Sequence, residues 1–317
     1  MLLLGICQIG CAKEPLQEYY AKKSEPDTVL HKDSKYIAVF GDIQYYISNG
    51  YSQYYESSLD WISDHKDNIN FVLHTGDVTD HNWISEWQTF QTITAPFTET
   101  MPFYTCIGNH DYRCNAPNQW CHRDSTHFSQ YVGFPSTVSH IVAYYDSTSY
   151  ENILVREELF ENDPIYLLFL ELEPRTNVIH WADSIVNCYP NEDVMLIVHS
   201  YIYYATSYRY QELQYMVDTL SRPSQYVWEN LVYPNDNIRC VLCGHTFDRL
   251  HILYSTNAFG RIVPQIMFNI QWEPNGGNGL IELWEFDRNE NVYVRTYDTH
   301  RERFVNDSLS SFQFKFR

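Results

Sequence analysis

The chain has 317 residues, of which 21 are Lys or Arg and 40 are Asp or Glu, so its formal net charge is −19 at pH 7. Such an acidic surface repels nucleic-acid backbones and anionic membranes, so binding to either through a basic patch is not expected. Hydrophobic residues make up 44% of the chain, which is enough for a full core and excludes a largely disordered protein. Because the surface is acidic, an anionic substrate must be attracted by positive charge within its binding site.

Residues 1–11 read MLLLGICQIGC, an apolar stretch that is too short to span a bilayer. The stretch is placed where the hydrophobic part of an export signal lies, and Gly10-Cys11 resembles the acylation point of a bacterial lipoprotein leader. Residues 12–34 are polar and are expected to be a tether. We therefore expect an exported protein of the periplasm or cell envelope, with a lipid on Cys11 as its route to the outer membrane. An ordinary buried N-terminal strand is the alternative.

Six cysteines remain if Cys7 is removed with the leader and Cys11 carries lipid. Cys114 and Cys121 lie seven residues apart in a loop-like segment, and an exported protein permits a disulfide between them. Cys240 and Cys243 form a CxxC pair inside an apolar run. A strand would point these two side chains to opposite faces, which favours core cysteines over a zinc or redox site.

From residue 35 onward, short apolar runs with strand character alternate with helical patterns, which predicts a layered α/β domain over 35–317. Helical spacing lies between the first three runs, and Trp83 and Trp87 in the second helical pattern are predicted to be core residues. Residues 112–164 have weaker periodicity and are interpreted as a long insertion. The predicted strands cover 36–40, 71–75, 103–107, 165–172, 194–199, 238–243, 262–271, 280–286 and 292–297.

Polar residues with a common chemistry follow the ends of these predicted strands, where ligands of open α/β sheets collect. Carboxylate oxygen, amide oxygen and imidazole nitrogen are the donors that hold Zn, Mn or Fe in hydrolases. A glycine precedes three of the positions and lets the backbone approach an ion closely. The set predicts a metal-dependent hydrolase and consists of Asp42, Asp77, Asn109, His110, Asp111, His199 and His245.

Five sequence blocks carry a family resemblance: GDIQ at 41–44, GDVTD at 76–80, GNHD at 108–111, VHS ending at 200 and GHTF at 244–247. They resemble the blocks of the calcineurin-like metallophosphoesterases, from about residue 35 to the C-terminus. FLELEP at 169–174 and NGGNG at 275–279 look like a secreted bacterial subgroup. The resemblance implies a four-layer αββα sandwich, in which two packed mixed sheets are flanked by helices, and two divalent ions (Mn, Fe, Zn or Mg) at one end.

The resemblance also implies roles for the individual residues. Asp77 would bridge the ions, Asp42 would hold the first metal, and the second would be completed by Asn109, His199 and His245. His110 would act as acid or charge stabiliser at the leaving oxygen, and Asp111 would orient its ring. Two divalent ions outweigh two carboxylates and one hydroxide, so the pocket would attract phosphate despite the acidic exterior.

Two positions depart from the family pattern and weaken the first metal site. Gln44 stands where His is common, and an amide oxygen binds borderline metals less well than imidazole. Phe247 stands at the usual final His and cannot bind a metal. Gln271 or His81 could supply a replacement ligand. We read the result as a variant site, with loss of the first ion as the alternative.

The resemblance favours a phosphoester hydrolase in which a metal-bound hydroxide attacks phosphorus in line, with a small-molecule phosphodiester slightly preferred over a monoester. One alternative is a non-catalytic protein that binds glycans or envelope components in a Tyr-rich cleft. A hydrolase of other esters is less favoured, because no Gly-x-Ser-x-Gly elbow is present. The tyrosines that follow His199 could wall the pocket or pack in the core: Tyr201, Tyr203, Tyr204, Tyr208 and Tyr210.

Overall fold

The computed structural model describes residues 30–114, 121–203, 208–216 and 218–317. The predicted leader, most of the predicted tether and Tyr204 lie outside the described residues. Within the described ranges, the helices are all too short or too polar to cross a membrane.

The helices, in chain order, are α1 (Gln44–Ser48), α2 (Ser52–Asp64), α3 (Ile84–Thr98), α4 (Phe128–Tyr131), α5 (Pro135–Val138), α6 (Thr176–Val186) and α7 (Ser224–Val227), which continues as a π-helical turn over Trp228–Val232. The strands are β1 (Lys35–Phe40), β2 (Ile69–His74), β3 (Phe103–Thr105), β4 (Tyr112–Cys114), β5 (Cys121–Thr126), β6 (Ile141–Tyr144), β7 (Ile153–Phe160), β8 (Asp163–Phe169), β9 (Asp193–Ile197), β10 (Ile202–Tyr203), β11 (Tyr208–Arg209), β12 (Ile238–Cys243), β13 (Leu250–Thr256), β14 (Ile262–Phe268), β15 (Leu280–Phe286), β16 (Asn291–Asp298), β17 (Arg303–Phe304) and β18 (Ser311–Lys315).

Two large mixed sheets form the centre of the fold. In the first, the order is β17-β16-β15-β1-β2-β3, with β18 also paired to β16, and β1, β2 and β3 are parallel. In the second, the order is β13-β14-β12-β9-β8-β7-β6, and β14, β12, β9 and β8 are parallel. The parallel strands of each sheet therefore end at a common edge, where ligands of such sheets bind.

Helices cover the outer faces of the two packed sheets. Successive residues of β8 point into two different hydrophobic cores: Leu167 belongs to the core between the two sheets, whereas Leu168 belongs to the core beneath α6. The buried positions of α6 include Val178 and Ala182, which recur at helical spacing. On the other side, the ring of Tyr55 in α2 packs edge-on against Phe40 at 5.4 Å. The predicted four-layer αββα architecture is confirmed.

The stretch 112–164 differs from the insertion that its weak periodicity suggested. Its first half forms the β4–β5 hairpin and two short helices, but its second half supplies β6 and β7 to the second sheet. In β7 the buried and exposed positions alternate only toward its C-terminal end, so the period-2 signal is short. Strand β13 was also not predicted, because most of its side chains are partly exposed.

The cysteines differ in their roles. Cys121 is disulfide-bonded, and the backbone of Cys114 lies opposite it in the β4–β5 ladder, while the side chain of Cys114 is outside the described residues. Cys240 and Cys243 are free, buried thiols that belong to the two different cores. The prediction that β12 points them to opposite faces as core residues is confirmed.

Candidate metal centre

The predicted site residues lie at the carboxyl ends of five parallel strands, three from the first sheet and two from the second. Asp42 follows β1, Asp77 follows β2, and the Gly-Asn-His-Asp segment at 108–111 follows β3. His199 follows β9 and His245 follows β12. The fold therefore brings residues that are about 200 positions apart in sequence to one edge between the sheets.

Glycines allow the loops at this edge to come close together. A Cβ atom on Gly108 would lie 2.1 Å from Oδ1 of Asp77, and one on Gly244 would lie 2.3 Å from Oδ1 of Asp42. Both distances are far below van der Waals contact, so any larger residue would displace the carboxylates. Asp77 itself has a left-handed backbone with φ of 56°, which costs about 1–2 kcal/mol for an L-residue.

One set of donors converges on a single point. A ligand atom from each of Asp77, His199 and His245 lies within 4.8 Å of the others. Nδ1 of His199 lies 2.8 Å from the carbonyl oxygen of Thr75, which only accepts, so Nδ1 carries a proton. The other ring nitrogen, Nε2, faces Oδ2 of Asp77 at 3.2 Å and Oδ1 of Asn109 at 3.1 Å and would be the ligand atom once a metal ion displaces its proton.

A second set lies beside Asp42. Both oxygens of Asp42 are within 3.2 Å of the backbone N–H of His245, and Nδ2 of Asn269 donates to Oδ2 at 2.8 Å. The buried Gln44 amide places Nε2 3.4 Å from Oδ2 of Asp77 and also contacts Oε1 of Gln271. The amide oxygen of Gln44 is buried and, among the described residues, has no hydrogen-bond partner.

These residues fit divalent metal ions on two observations. A buried amide oxygen without a partner costs free energy, which a cation at that oxygen would remove. Two buried carboxylates, two imidazoles and two amides also form the hard and borderline donor set that Zn, Mn and Fe prefer. Asp77, Asn109, His199 and His245 would hold one ion, and Asp42, Gln44 and Asp77 the other.

Burial and mutual proximity shift the pKa values of these groups. Burial raises the pKa of Asp42 to about 7, although the charge of His199 opposes this shift. Burial also disfavours the charged form of Asp77, but His199 and His110 outweigh it and hold its pKa below the usual range. For His199, burial is outweighed by Asp77, so its pKa rises to about 9, whereas burial and the charge of His199 lower the pKa of His245 to about 3. Protons therefore balance the buried charge that divalent cations would otherwise balance.

His110 lines the open side of the centre. Its backbone N–H donates to Oδ1 of Asp77 at 2.9 Å. Its ring Nδ1 lies 2.8 Å from the carbonyl oxygen of Asp80 and 3.2 Å from a carboxylate oxygen of that residue. Burial lowers the pKa of His110, but Asp77 and Asp80 outweigh burial and raise it to about 10.

The prediction that Asp111 orients the His110 ring is wrong, because Asp80 occupies that place. The Asp111 carboxylate instead accepts the backbone N–H groups of Gly108 at 2.9 Å and Thr79 at 2.9 Å. It therefore ties the loop after β3 to the loop after β2. Burial and the nearby charge of Asp77 raise the pKa of Asp111 to about 6.

The two candidate replacements for the missing imidazoles, Gln271 and His81, have different partners in the structure. Gln271 contacts Gln44, so it lies beside the predicted first metal position. His81 stacks on Trp83 at 4.3 Å, and its Nδ1 lies 2.9 Å from a carboxylate oxygen of Glu86. Phe247 is 51% exposed and packs on the ring of Trp272 at 4.8 Å.

Three site residues were missed by the sequence reasoning. Asn269 holds Asp42, Asp80 holds His110, and the hydroxyl of Tyr215 lies 3.1 Å from Nε2 of His245. Burial raises the pKa of Tyr215, so its hydroxyl is neutral there. Asp80 and Asn269 could have been found, since Asp80 belongs to the GDVTD block and Asn269 to the FNIQ segment at 268–271, whereas Tyr215 carries no sequence signal that distinguishes it from the other tyrosines.

A cleft of about 1290 Å³ opens beside the centre and is lined by Asn109, His110 and Tyr215. The prediction that Trp83 is a core residue is wrong, because Trp83 precedes α3, lines this cleft and is 59% exposed. Trp87, which lies within α3, is buried as predicted. Of the tyrosines after His199, Tyr201 and Tyr210 are buried, Tyr203 is partly buried and Tyr208 is exposed. Tyr210 lies 6.2 Å from the His245 ring.

The chain is similar in sequence to a bacterial protein and in fold to a plant phosphatase. It is 25% identical over 285 residues to the uncharacterized protein YvnB of Bacillus subtilis (strain 168), a match that covers 85% of this chain and 20% of the relative. The chain thus spans about a fifth of that relative's length. The structure of purple acid phosphatase PPD1 from yellow lupin (Lupinus luteus) seeds is similar in fold, with a TM-score of 0.55 and 13% identity, covering 89% of this chain and 54% of that one.

The strand-end site lies within a recognised sequence family. The profile of the calcineurin-like phosphoesterases matches residues 35–248, which include every predicted ligand from Asp42 to His245. The chain therefore belongs to the calcineurin-like phosphoesterase family.

Proposed function

We propose that this protein hydrolyses phosphoesters with two divalent metal ions and that it prefers phosphodiesters over phosphomonoesters. The observation that carries the proposal is the convergence of Asp77, Asn109, His199 and His245 on one point beneath an open cleft. Bound ions would supply Lewis acidity and lower the pKa of a water molecule, which makes it a nucleophile at neutral pH. The family is consistent with this chemistry.

His110 would protonate the leaving oxygen. Since the Asp80 carbonyl accepts the Nδ1 proton, Nε2 is the nitrogen available to the substrate. The Asp80 carboxylate, with an oxygen 3.2 Å from Nδ1, favours the imidazolium form of His110, which is the form that can give up a proton. Asp80 would fix the ring against rotation, which keeps this proton aimed at one place.

The preference for diesters rests on charge and space. A monoester is a dianion at neutral pH, and among the described residues that line the cleft Arg113 is the one arginine and no lysine is present. A diester carries a single negative charge and needs less positive charge around it. The cleft of about 1290 Å³ has room for a substituent on either side of the phosphorus.

Two aryl esters test the proposal. We expect a higher kcat/KM for bis-aryl phosphate than for aryl phosphate, and loss of both activities after chelation. Asn109→Ala and His110→Ala should remove most of the hydrolysis, with His180→Ala on the distant α6 as a control. The reverse substrate preference would contradict the diester assignment.

A second candidate is a non-catalytic protein that binds glycans or envelope components. The exposed rings of Phe247 and Trp272, which pack together where a metal ligand is common in the family, are the observation that favours it. Protein that carries no metal and hydrolyses neither ester would support this candidate.

We further propose that the chain is an exported member of a secreted bacterial subgroup, anchored through a lipid on Cys11 and acting on small-molecule phosphoesters in the cell envelope. The support is the sequence at 1–11 and the blocks at 169–174 and 275–279. Fractionation of cells that express the full chain tests this location, since recovery in the cytoplasm would contradict it.

A further inference from the structure

The loop that carries Tyr215 is fixed over the metal centre by a buried carboxylate. Glu173 is 4% exposed and has a left-handed backbone with φ of 46°. Its carboxylate accepts three consecutive backbone N–H groups, those of Gln214, Tyr215 (3.2 Å) and Met216 (2.7 Å). Burying a carboxylate is costly, so three charge-assisted hydrogen bonds from one short loop specify where that loop lies.

The β4–β5 hairpin holds the same loop from the other side. The backbone N–H of Cys121 donates to the carbonyl oxygen of Tyr215 at 2.8 Å, and Cys121 itself is disulfide-bonded. The guanidinium of Arg123 donates to the carbonyl oxygens of Leu172 at 3.0 Å and Glu173 at 2.7 Å. The backbone of Tyr215 is therefore connected to two rigid segments.

The side chain of Tyr215 reaches from this loop to the centre. Its ring meets the His245 ring edge-on at 5.0 Å, and its hydroxyl lies 3.1 Å from Nε2 of His245. Tyr215 also lines the cleft together with Asn109 and His110. A phenol both accepts and donates, and in the His245 tautomer that carries its proton on Nε2 the Tyr215 hydroxyl accepts this N–H and keeps its own proton for another acceptor.

We propose that Tyr215 is a catalytic residue that donates a hydrogen bond to a phosphoryl oxygen of the substrate, and that Glu173 is the positioning residue that fixes it. The inference rests on the proposed phosphoester hydrolysis, because that reaction places a phosphoryl group between Asn109, His110 and Tyr215. Hydrogen bonds to charged oxygens are stronger than neutral ones, and here the donor is held before the substrate arrives.

The test uses the metal-loaded full chain and inorganic phosphate as the probe. Tyr215→Phe removes one hydroxyl and should weaken phosphate binding, measured by isothermal titration calorimetry, about tenfold. The metal content per chain should remain that of the wild type. Tyr208→Phe, on the exposed strand of the same region, is the matched control and should bind phosphate normally.

Glu173→Gln tests the positioning role. It should raise the Kd for phosphate by a similar factor, and the double variant with Tyr215→Phe should bind no more weakly than either single variant, because both changes remove one interaction. Unchanged phosphate affinity in Tyr215→Phe, or a loss fully explained by lost metal, would overturn the proposal, as would additive losses in the double variant.

The outcomes separate this inference from the proposed function. Wild-type protein that binds metal and phosphate but hydrolyses neither aryl ester contradicts the proposed hydrolysis, while the comparison between wild type and Tyr215→Phe still decides whether Tyr215 contacts the phosphoryl group. Hydrolysis by wild type with unchanged kcat and KM in Tyr215→Phe overturns the role of Tyr215 alone.

Discussion

Replacing Gly108 with alanine tests how closely the metal centre depends on backbone approach. The new Cβ would lie 2.1 Å from Oδ1 and 2.3 Å from the backbone nitrogen of Asp77. Ordinary van der Waals contact begins at 3.4 Å, so the carboxylate must retreat by about 1.3 Å (3.4 minus 2.1) or the loop must move. Because metal–ligand distances hold to about ±0.2 Å, a shift of this size is incompatible with bound metal.

The same change also has a cost for the fold. Overpacking of this kind costs about 1–3 kcal/mol. Displacing Asp77 also weakens the 2.9 Å hydrogen bond that its carboxylate accepts from the backbone N–H of His110. A hydrogen bond to a charged group contributes about 1.5–3 kcal/mol to the free energy of unfolding. At about 2–4 °C per kcal/mol for a domain of this size, the melting temperature in chelator should fall by several degrees.

Gly260→Ala separates the two effects. Gly260 has φ of +84°, but nothing lies within 4 Å of its Cβ position, so its replacement should cost about 1–2 kcal/mol of backbone strain and leave the centre intact. We expect Gly108→Ala to lose metal, measured by plasma mass spectrometry, and to lose ester hydrolysis, while Gly260→Ala keeps both. Full metal content and activity in Gly108→Ala would refute the reasoning.

Three further predictions concern groups that the structure places in unusual surroundings. Burial raises the pKa of Glu282 from 4.5 to about 8, so the folded state holds a proton that the unfolded state releases, and the free energy of unfolding falls as pH rises from about 4.5 to 8. Glu282→Gln should remove this fall, which is worth at most about 5 kcal/mol. The same dependence of the urea midpoint on pH in both proteins would contradict this prediction. The pKa of Asp42 in the metal-free centre is about 7, so a proton competes with Mn²⁺ for this carboxylate at lower pH, and Mn²⁺ affinity should drop about tenfold or more per pH unit below pH 7. Competition titrations from pH 5.5 to 8 measure this affinity, and an affinity that does not change with pH would argue against a buried carboxyl at the ion. Cells that express the full chain and are grown with labelled fatty acid should incorporate the label into the protein, and Cys11→Ala should abolish this labelling. A wild-type protein without label would disprove the proposed lipid anchor.

The sequence was sufficient to predict the strands that carry the site. The apolar runs that end in Gly-Asp and Gly-Asn are buried parallel strands, whose continuous hydrophobic character is conspicuous because both faces are covered. The chemistry of the residues that follow these strands was likewise readable. Asp42, Asp77, Asn109, His199 and His245 come together at one edge because parallel strands end together.

The parts that could not be predicted depend on contacts between distant segments. Asp111 immediately follows His110, which made it the expected partner of that ring, yet the turn directs its carboxylate into the amides of the loop after β2. Asn269 and Tyr215 reach the centre only through the fold, and periodicity carries no information about such convergence. Strand β7 was hidden in a stretch whose burial pattern alternates over a few residues only.

The metal content of the purified full chain tests the central claim most directly. Inductively coupled plasma mass spectrometry, after titration with Mn²⁺, Fe²⁺ or Zn²⁺ and removal of excess ion, should give about two divalent ions per chain. Asp77→Ala, which removes the residue shared by both donor sets, should bring this number close to zero. A wild-type chain that takes up none of these ions would contradict the account.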